Sequence, residues 1–524
     1  MTKRIVIIGA GHNGLVTAFY LAKAGLRPLV LERRAVVGGA ATTEEIAGGV
    51  PGPGLAHTLG PLRRSIVRDM KLAERGVRFI DPDPATVALA PDGRRVSFYR
   101  DPARTRTSIE PLSARDGERY PAFAATLDRI GGVLRGLLEM APPDVDEPGT
   151  RDLWKLVSAG RRFRALPKQD AFRLLRWMPM AVADLVAEFF EHDLVQAAIA
   201  ARALQGTNLG PWSAATGALL LLHAASDPLP AGSSVTAEGG PGAVTQAMAK
   251  AAAEAGAEIR VGAPVARIEA DRNGVAAVRL ESGEVISASA IISNADPKQT
   301  FLRLVDPTVL DPGFVARIGN YRSRGTTAKM NLVLNAPPVF TALGGEASLL
   351  AARLHIGPGI DYIERAFDAS KYGRWSERPW LDVRVPTAGD PALASHGMHV
   401  VSVVAHFAPY ALREGDWTVS AEPFGAAVLR TLDEYAPGLS STVVARQLFT
   451  PSDLEERWAL TGGHIHHGEP GLDQLFFMRP VMGWARYRTP VRGLYLCGAG
   501  THPGLGLTGG SGQNAAREIL IDLK

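Results

Sequence analysis

The stretch "RIVIIGAGHNGLVTAFYLAKAG", Arg4 to Gly25, decides the reading of this chain. A short β-branched run, "IVII", passes directly into Gly9-x-Gly11-x-x-Gly14 and then into a helical pattern. Gly9 lets the chain turn tightly, Gly11 lets the backbone approach a pyrophosphate, and Gly14 lets the helix pack on the strand. The positive end of that helix faces the phosphates. A second strand, "RPLVLE", ends in Glu32, about twenty residues after the glycines, where a carboxylate accepts the hydroxyls of an adenosine ribose. Strand, turn, helix, strand and terminal acid in this order predict a dinucleotide-binding βαβ unit. Glu32 is followed by "RRAVVGGAATT". A Gly38-Gly39 pair just past the ribose acid shifts the expected dinucleotide from NAD to FAD.

The other end of the chain repeats the theme. "GLYLCGAGTHPGLGLTGGSGQNAARE", Gly493 to Glu518, reads as an apolar strand, a long glycine-rich turn and a helix opening near Gly510. An extended FAD gives both turns a purpose, one at the adenosine end and one at the flavin. The last helix would point its amides at the flavin edge where charge gathers on reduction. The two chain ends are therefore expected to meet, with everything between inserted. No further GxGxxG follows a strand, so a tight NAD(P)H site is not expected.

Composition sets the bounds. The 524 residues are 46% hydrophobic and 21% charged, as in a globular protein large enough for two cores. A formal charge of +4 is too mild over this length to indicate nucleic acid. The single cysteine, Cys497, permits neither an internal disulfide nor a CxxC redox pair, which fits a reducing cytoplasm. "IVII" is too short for a signal peptide, and no apolar run reaches the ~18 residues of a membrane span.

Together the motifs resemble the phytoene desaturase-like flavoproteins, within the broader amine-oxidase-like FAD fold, and most closely the branch of pyridine nucleotide-disulphide oxidoreductase domain-containing protein 2. They are "GAGHNGLVTAFYLAKAG", "ERRAVVGGAATTEEI", "EGGPGAV", "SNADP", "HVVSVVAHFAPYAL", "TPSDLEERWALTGGHIHHGEPGLDQLFFMRP" and "GLYLCGAGTHPGLGLTGGSGQNAA". The resemblance implies an α/β fold: a Rossmann-like FAD-binding domain with an inserted α+β substrate domain. It implies FAD-binding segments at 1–75, 232–300 and 485–524, and substrate-domain segments at 76–231 (mostly helical) and 301–484. It places Gly9, Gly11, Gly14, Glu32, Arg33, Gly39, Ala40 and Val265 along the adenosine–pyrophosphate half of FAD. It places Gly500, His502, Gly509 and Asn514 on the flavin half. Leu505 interrupts the glycines usual after Pro503 and is expected to narrow the space over the ring.

The activity so implied is an FAD-dependent dehydrogenase or desaturase that passes a hydride from an apolar, polyene or lipid-like substrate to the flavin. A flavin-dependent isomerase or saturase, and a flavin-binding interaction protein, are the alternatives. The acceptor of the electrons (a quinone, oxygen or another carrier) and the oligomeric state are open. Proton handling falls to histidines: His502 in the flavin-side turn, His464, His466 and His467 in "GGHIHHGE", and His57 in "GPGLAHTLG". Of these, His467 matches the branch pattern. Lys329 in "TTAKMNLVL" matches a lysine that amine-oxidase-like proteins place near the flavin through water. The histidine run lacks an acid at metal-ligand spacing, so no metal is expected. "MAVADLVAEFFEHDLVQAAIAARAL", Met180 to Leu204, has helical spacing and reads as a core helix or the lining of an apolar tunnel. "RDLWKLVSAGRRFRALPKQDAFRLLRWMP", Arg151 to Pro179, interleaves basic and aromatic residues and reads as a solvated helix face or a peripheral contact with an anionic membrane.

Overall fold

A computed structural model describes residues 4–144, 148–394 and 397–523. The run Ile5–Ile8 is buried on both faces at the centre of a five-stranded sheet. Its order is Leu494–Leu496, Ala290–Ser293, Ile5–Ile8, Pro28–Leu31 and Glu258–Arg260, all parallel. Continuous apolar strands are what a parallel sheet covered on both sides requires.

The first helix, His12–Lys23, and the last, Gly510–Leu523, lie together on this sheet. Small residues allow the approach. A Cβ on Gly14 would stand 2.1 Å from the Gly9 carbonyl, and one on Gly512 would stand 2.2 Å from the Asn13 carbonyl. Thr17 Oγ1 donates to the carbonyls of Asn13 and Gly512, and Gly512 N donates to Asn13 Oδ1 at 3.2 Å. The ends of the chain thus meet as the two glycine turns predict.

The second sheet has seven strands: Val443–Phe449, Thr327–Leu334, His399–His406, Leu381–Arg384, Arg353–Ile356, Thr86–Leu89 and Arg95–Phe98. Residues 76–231 therefore contribute two strands to this sheet beside their helices. Thr86–Leu89 pairs in parallel with Arg353–Ile356, a partner too remote in sequence for local pattern to announce. One face of this sheet carries Met330, Leu332, Leu354, Val383, Val401 and Val403, packed under Phe424, Val428 and Leu432 of the helix Trp417–Tyr435. The other face is polar, yet equally buried.

The helical part is built around Ala114–Leu138 and Thr216–Ser226, which approach so closely at Gly131 that a Cβ there would meet the Ala224 carbonyl at 2.8 Å. The stretch 180–204 is not one helix. It divides into Val182–Ala187 and Asp193–Ala200, because the buried Asp116 carboxylate accepts the amides of Glu191 and His192, and the His192 ring caps the second piece. Its apolar side chains join the helical core and none lines the principal cavity, so it is core and not tunnel wall.

One arginine ties the loops together. Arg479 is wholly buried, and its guanidinium donates to the carbonyls of His466, Gly468, Glu469, Gln474 and Ala499. It thereby fixes the "GGHIHHGE" loop to the flavin-side turn. Arg479→Leu would leave several of these acceptors buried and unpaired, at a cost of about 3 kcal/mol or more. The urea midpoint should fall accordingly, and an unchanged midpoint would show that the loops do not depend on this side chain.

Candidate functional site

A cavity of about 410 Å³ runs from the first glycine turn to the polar face of the seven-stranded sheet. At its outer end lie Gly9, Gly11, Glu32, Arg33, Gly39, Ala40 and Val265, all predicted from sequence. Gly11 and Gly39 face one another backbone to backbone: a Cβ on Gly39 would sit 3.1 Å from the Gly11 Cα. Gly11 precedes the first helix without any side-chain cap, so the opening amides of that helix remain free for an anion. Glu32 Oε2 accepts from Ala10 N at 2.8 Å and Oε1 from Arg34 N at 2.9 Å. The carboxylate is thus held on the cavity wall with lone pairs left for a ribose. Arg33 lines the same groove, but its guanidinium donates to the carbonyls of Glu456 and Arg457, at the negative end of the helix Pro451–Trp458. Bare backbone, free helix amides and a fixed acid fit the adenosine–pyrophosphate half of FAD. Gly14 does not line the cavity; its role is the close packing already described.

The flavin-side turn is placed differently from expectation. Ala499, Leu505, Gly506 and Leu507 line the cavity, whereas Gly500, His502, Gly509 and Asn514 do not. A Cβ on Gly500 would strike Pro297, and one on Gly509 would strike Ile66. Asn514 Nδ2 donates to the Leu138 carbonyl at 3.1 Å, and its Oδ1 accepts from Arg63 at 3.0 Å. His502 is buried behind the turn, with Nε2 3.0 Å from the Leu137 carbonyl and its ring against Phe476. Burial pushes its pKa down to about 3. These four residues shape the turn from behind, so His502, expected to handle protons, stands off the cavity wall. The amides opening the last helix are also engaged, Gly510 N by Thr508 Oγ1 and Gly512 N by Asn13 Oδ1.

Of the histidine run, His466 and His467 line the cavity. His466 Nε2 lies 3.2 Å from the Gln205 carbonyl, and His464 Nδ1 accepts from His466 N. Nδ1 of His467 is buried without a partner, as is Nε2 of His12, which lines the cavity beside it. Burial, then Arg479, lowers His467 to about 4; burial, then His467, lowers His12 to about 4. Both rings are neutral near pH 7, and His467 offers a nitrogen that no protein group uses. Among the described residues, no group of three or more His, Cys, Asp or Glu is placed to hold a metal.

The inner end of the cavity is formed by the polar sheet face. Register places the side chains of Thr327, Lys329 and Asn331, of Ser402, Val404 and His406, of Asp382 and Arg384, and of Arg353 and His355 on one side. Lys329 is fully buried and does not touch the cavity itself. Its Nζ donates to Ser402 Oγ, which lies 3.3 Å from His57 Nδ1, and His57 lines the cavity. Desolvation holds Lys329 well below the usual lysine range. Burial, then Lys329, does the same to His57. Asp382 accepts from Gln205 Nε2 at 2.8 Å and lies 3.3 Å from His406 Nε2 and 3.9 Å from Arg353. Burial works to raise its carboxyl, but Arg353, His355 and His406 outweigh that and hold it well below the carboxylate range. Among the described residues, no hydrogen bond reaches Nη1 or Nε of Arg353.

Reading from the sequence found the outer groove, His467 and His57. It missed His12, His223, Arg353, Asp382 and His406, all on the cavity wall. A signal was present: "TAKMNL", "RLHI" and "LDVR" alternate polar and apolar residues at period two. Such alternation ordinarily means one solvated face; here that face is the ceiling of a cavity.

The sequence family described as flavin containing amine oxidoreductase matches residues 14–520. The chain is 33% identical over 542 residues to pyridine nucleotide-disulfide oxidoreductase domain-containing protein 2 of Rattus norvegicus, covering 99% of this chain and 93% of that protein. It is 27% identical over 532 residues to the lycopene-forming phytoene desaturase of Pantoea ananas, covering 99% of this chain and 100% of that one. A putrescine oxidase variant shares its fold, with a TM-score of 0.64 at 16% identity, over 99% of this chain and 98% of that structure. The chain belongs to the flavin containing amine oxidoreductase family and is an FAD-dependent oxidoreductase.

Proposed function

We propose that this oxidoreductase is a dehydrogenase or desaturase acting on a C–H bond of a small organic substrate with an apolar body. The observation that carries this reading is the single cavity joining the nucleotide groove to a chamber whose walls include Leu55, Val404, Ile465, Leu505 and Leu507. Bound FAD would supply a hydride acceptor at N5. Gly9, Gly11, Glu32, Gly39 and Val265 would hold its adenosine half, and Ala499 with Leu505–Leu507 would border its other end. The relatives named desaturases act by the same class of chemistry, which supports the reading.

The chain's own residues manage position and protons. His467, neutral and on the cavity wall, accepts a proton released as a double bond forms. Leu505 closes space above the turn and excludes water. The Lys329–Ser402–His57 chain has a direction. Lys329 Nζ donates to Ser402 Oγ, which leaves the Ser402 hydroxyl hydrogen available to His57 Nδ1, and the network is assigned that way. His57 then carries its own proton on Nε2, a tautomer assigned from this network. Lys329 therefore acts behind the cavity wall through His57.

The substrate reaches the site from a membrane surface, and the segment 150–177 is the contact. Leu153, Trp154, Leu156, Val157, Phe172 and Leu175 are exposed there, Trp154 by 69% and Phe172 by 61%. Arg161, Arg164 and Lys168 stand among them, and a basic surface with apolar anchors suits anionic lipid. Among the described residues, no helix is long and apolar enough to cross a membrane. Trp177, by contrast, is fully buried and belongs to the core.

Purified protein should be yellow with about one FAD per chain, and Gly11→Val should fold yet lose the flavin; a colourless wild type that takes up no FAD would end the reading. With any substrate that bleaches the wild-type flavin, His467→Asn should keep FAD and slow bleaching by about a hundredfold. An unchanged rate would remove His467 from the reaction. The protein should sediment with phosphatidylserine-containing vesicles at low salt, and the paired change Trp154→Ser, Phe172→Ser should reduce the bound fraction. Equal recovery with and without vesicles would discard the membrane contact.

A further inference from the structure

The inner end of the cavity is richer in positive charge and in hydrogen-bond donors than its own groups can satisfy. Among the charged groups lining it or lying behind it on the sheet, the two guanidiniums of Arg353 and Arg384 face one carboxylate, Asp382. The nearby Arg202 is balanced separately by Asp227 at 3.3 Å. Asp382 is already committed to Gln205, His406, His355 and Arg353, so it has little left to offer a ligand. Arg384 has the Ser234 carbonyl at 2.8 Å and no carboxylate among the described residues. Arg353 lines the cavity and is 7% exposed. Its Nη2 is held by Thr86 and the Ala231 carbonyl, while Nη1 has only Asp382 at 3.9 Å and makes no hydrogen bond. His57 lies on the same wall, and among the described residues no hydrogen bond reaches its Nε2; Lys329 and Ser402 stand behind its Nδ1. His406, its ring stacked on Trp380 at 3.7 Å, is locked in place by Asp382.

A buried guanidinium without full compensation is costly unless a ligand completes it. Donors converging without a matching acceptor define what that ligand must bring. We infer that the substrate carries an oxyanion at one end of its apolar body, received at the inner end of the cavity by Arg353 and His57. This deepens the dehydrogenase reading and rests on it for the direction of the substrate: oxyanion at the sheet, apolar carbons toward the flavin side. A planar guanidinium suits a carboxylate, and a phosphate monoester offers the same oxygens.

The test uses the FAD-loaded protein, with decanoate, decyl phosphate and decanol as probes and titration calorimetry as the readout. Decanoate or decyl phosphate should bind at least about tenfold more tightly than decanol, the size of one charge-assisted contact. The stronger of the two identifies the oxyanion. Arg353→Gln should remove that preference and leave decanol binding unchanged, while Arg353→Lys should keep part of it. FAD content and melting temperature are measured on each variant. Should Arg353→Gln fail to fold, the wild-type comparison decides alone, and His57→Phe supplies the second variant. Equal affinity for decanol and both anions, or a preference that survives Arg353→Gln, would overturn the inference. Binding is read apart from flavin reduction. Anion preference without reduction by any substrate would sink the dehydrogenase reading and leave the oxyanion site standing, whereas flavin reduction by neutral substrates with no anion preference would do the reverse.

Discussion

The molecule depends on one buried polar surface. A β-sheet face that carries Lys329, Arg353, Arg384 and Asp382 away from solvent is unstable unless each group finds a partner or a lowered charge. The sheet answers in both ways. Desolvation favours the neutral form of Lys329, which leans on Ser402, while Asp382 gathers Gln205, His406 and Arg353 around it. The opposite face of the same strands is an ordinary aliphatic core that anchors the sheet. That core stabilises the platform, and the platform in turn holds a set of donors over the cavity with little freedom to relax.

A second constraint joins this platform to the nucleotide groove. The flavin-side turn and the "GGHIHHGE" loop contain little regular structure, so their carbonyls need partners from elsewhere. Arg479 supplies them from within the core. The consequence reaches the site, because His467 sits on that loop with its Nδ1 unused and its basicity reduced by burial and by Arg479. Burial does most to keep the histidine neutral, and the same guanidinium that orders the loop adds to it. Loop order and proton chemistry are therefore coupled through one side chain.

Much of the nucleotide half was legible in the sequence, since its contacts are made by backbone within a few residues of the turns. Gly11 and Gly39 are named by the need for bare backbone, and Glu32 by its place at the end of a strand. The flavin half was read less well. His502 looked catalytic because it stands in the right turn, yet position along a turn does not say which way a side chain faces. In the fold it points at the Leu137 carbonyl. The stretch 180–204 kept its helical period but was divided by Asp116, a residue from another helix whose hold on the amides of Glu191 and His192 no local pattern could reveal.

The sequence alone determined where the two glycine turns fall and that one extended dinucleotide would give both a purpose, because turn geometry and helix ends are local properties. It also determined that the two ends meet, since one cofactor needs both. Only the tertiary structure decided which polar residues gather at the inner end of the cavity. Arg353, Asp382, Ser402 and His406 lie on different strands, and they share a face through pairing between segments far apart in the chain. Period-two alternation tells that a strand has two unlike faces; whether the polar one meets water or a closed cavity is set by what packs above it.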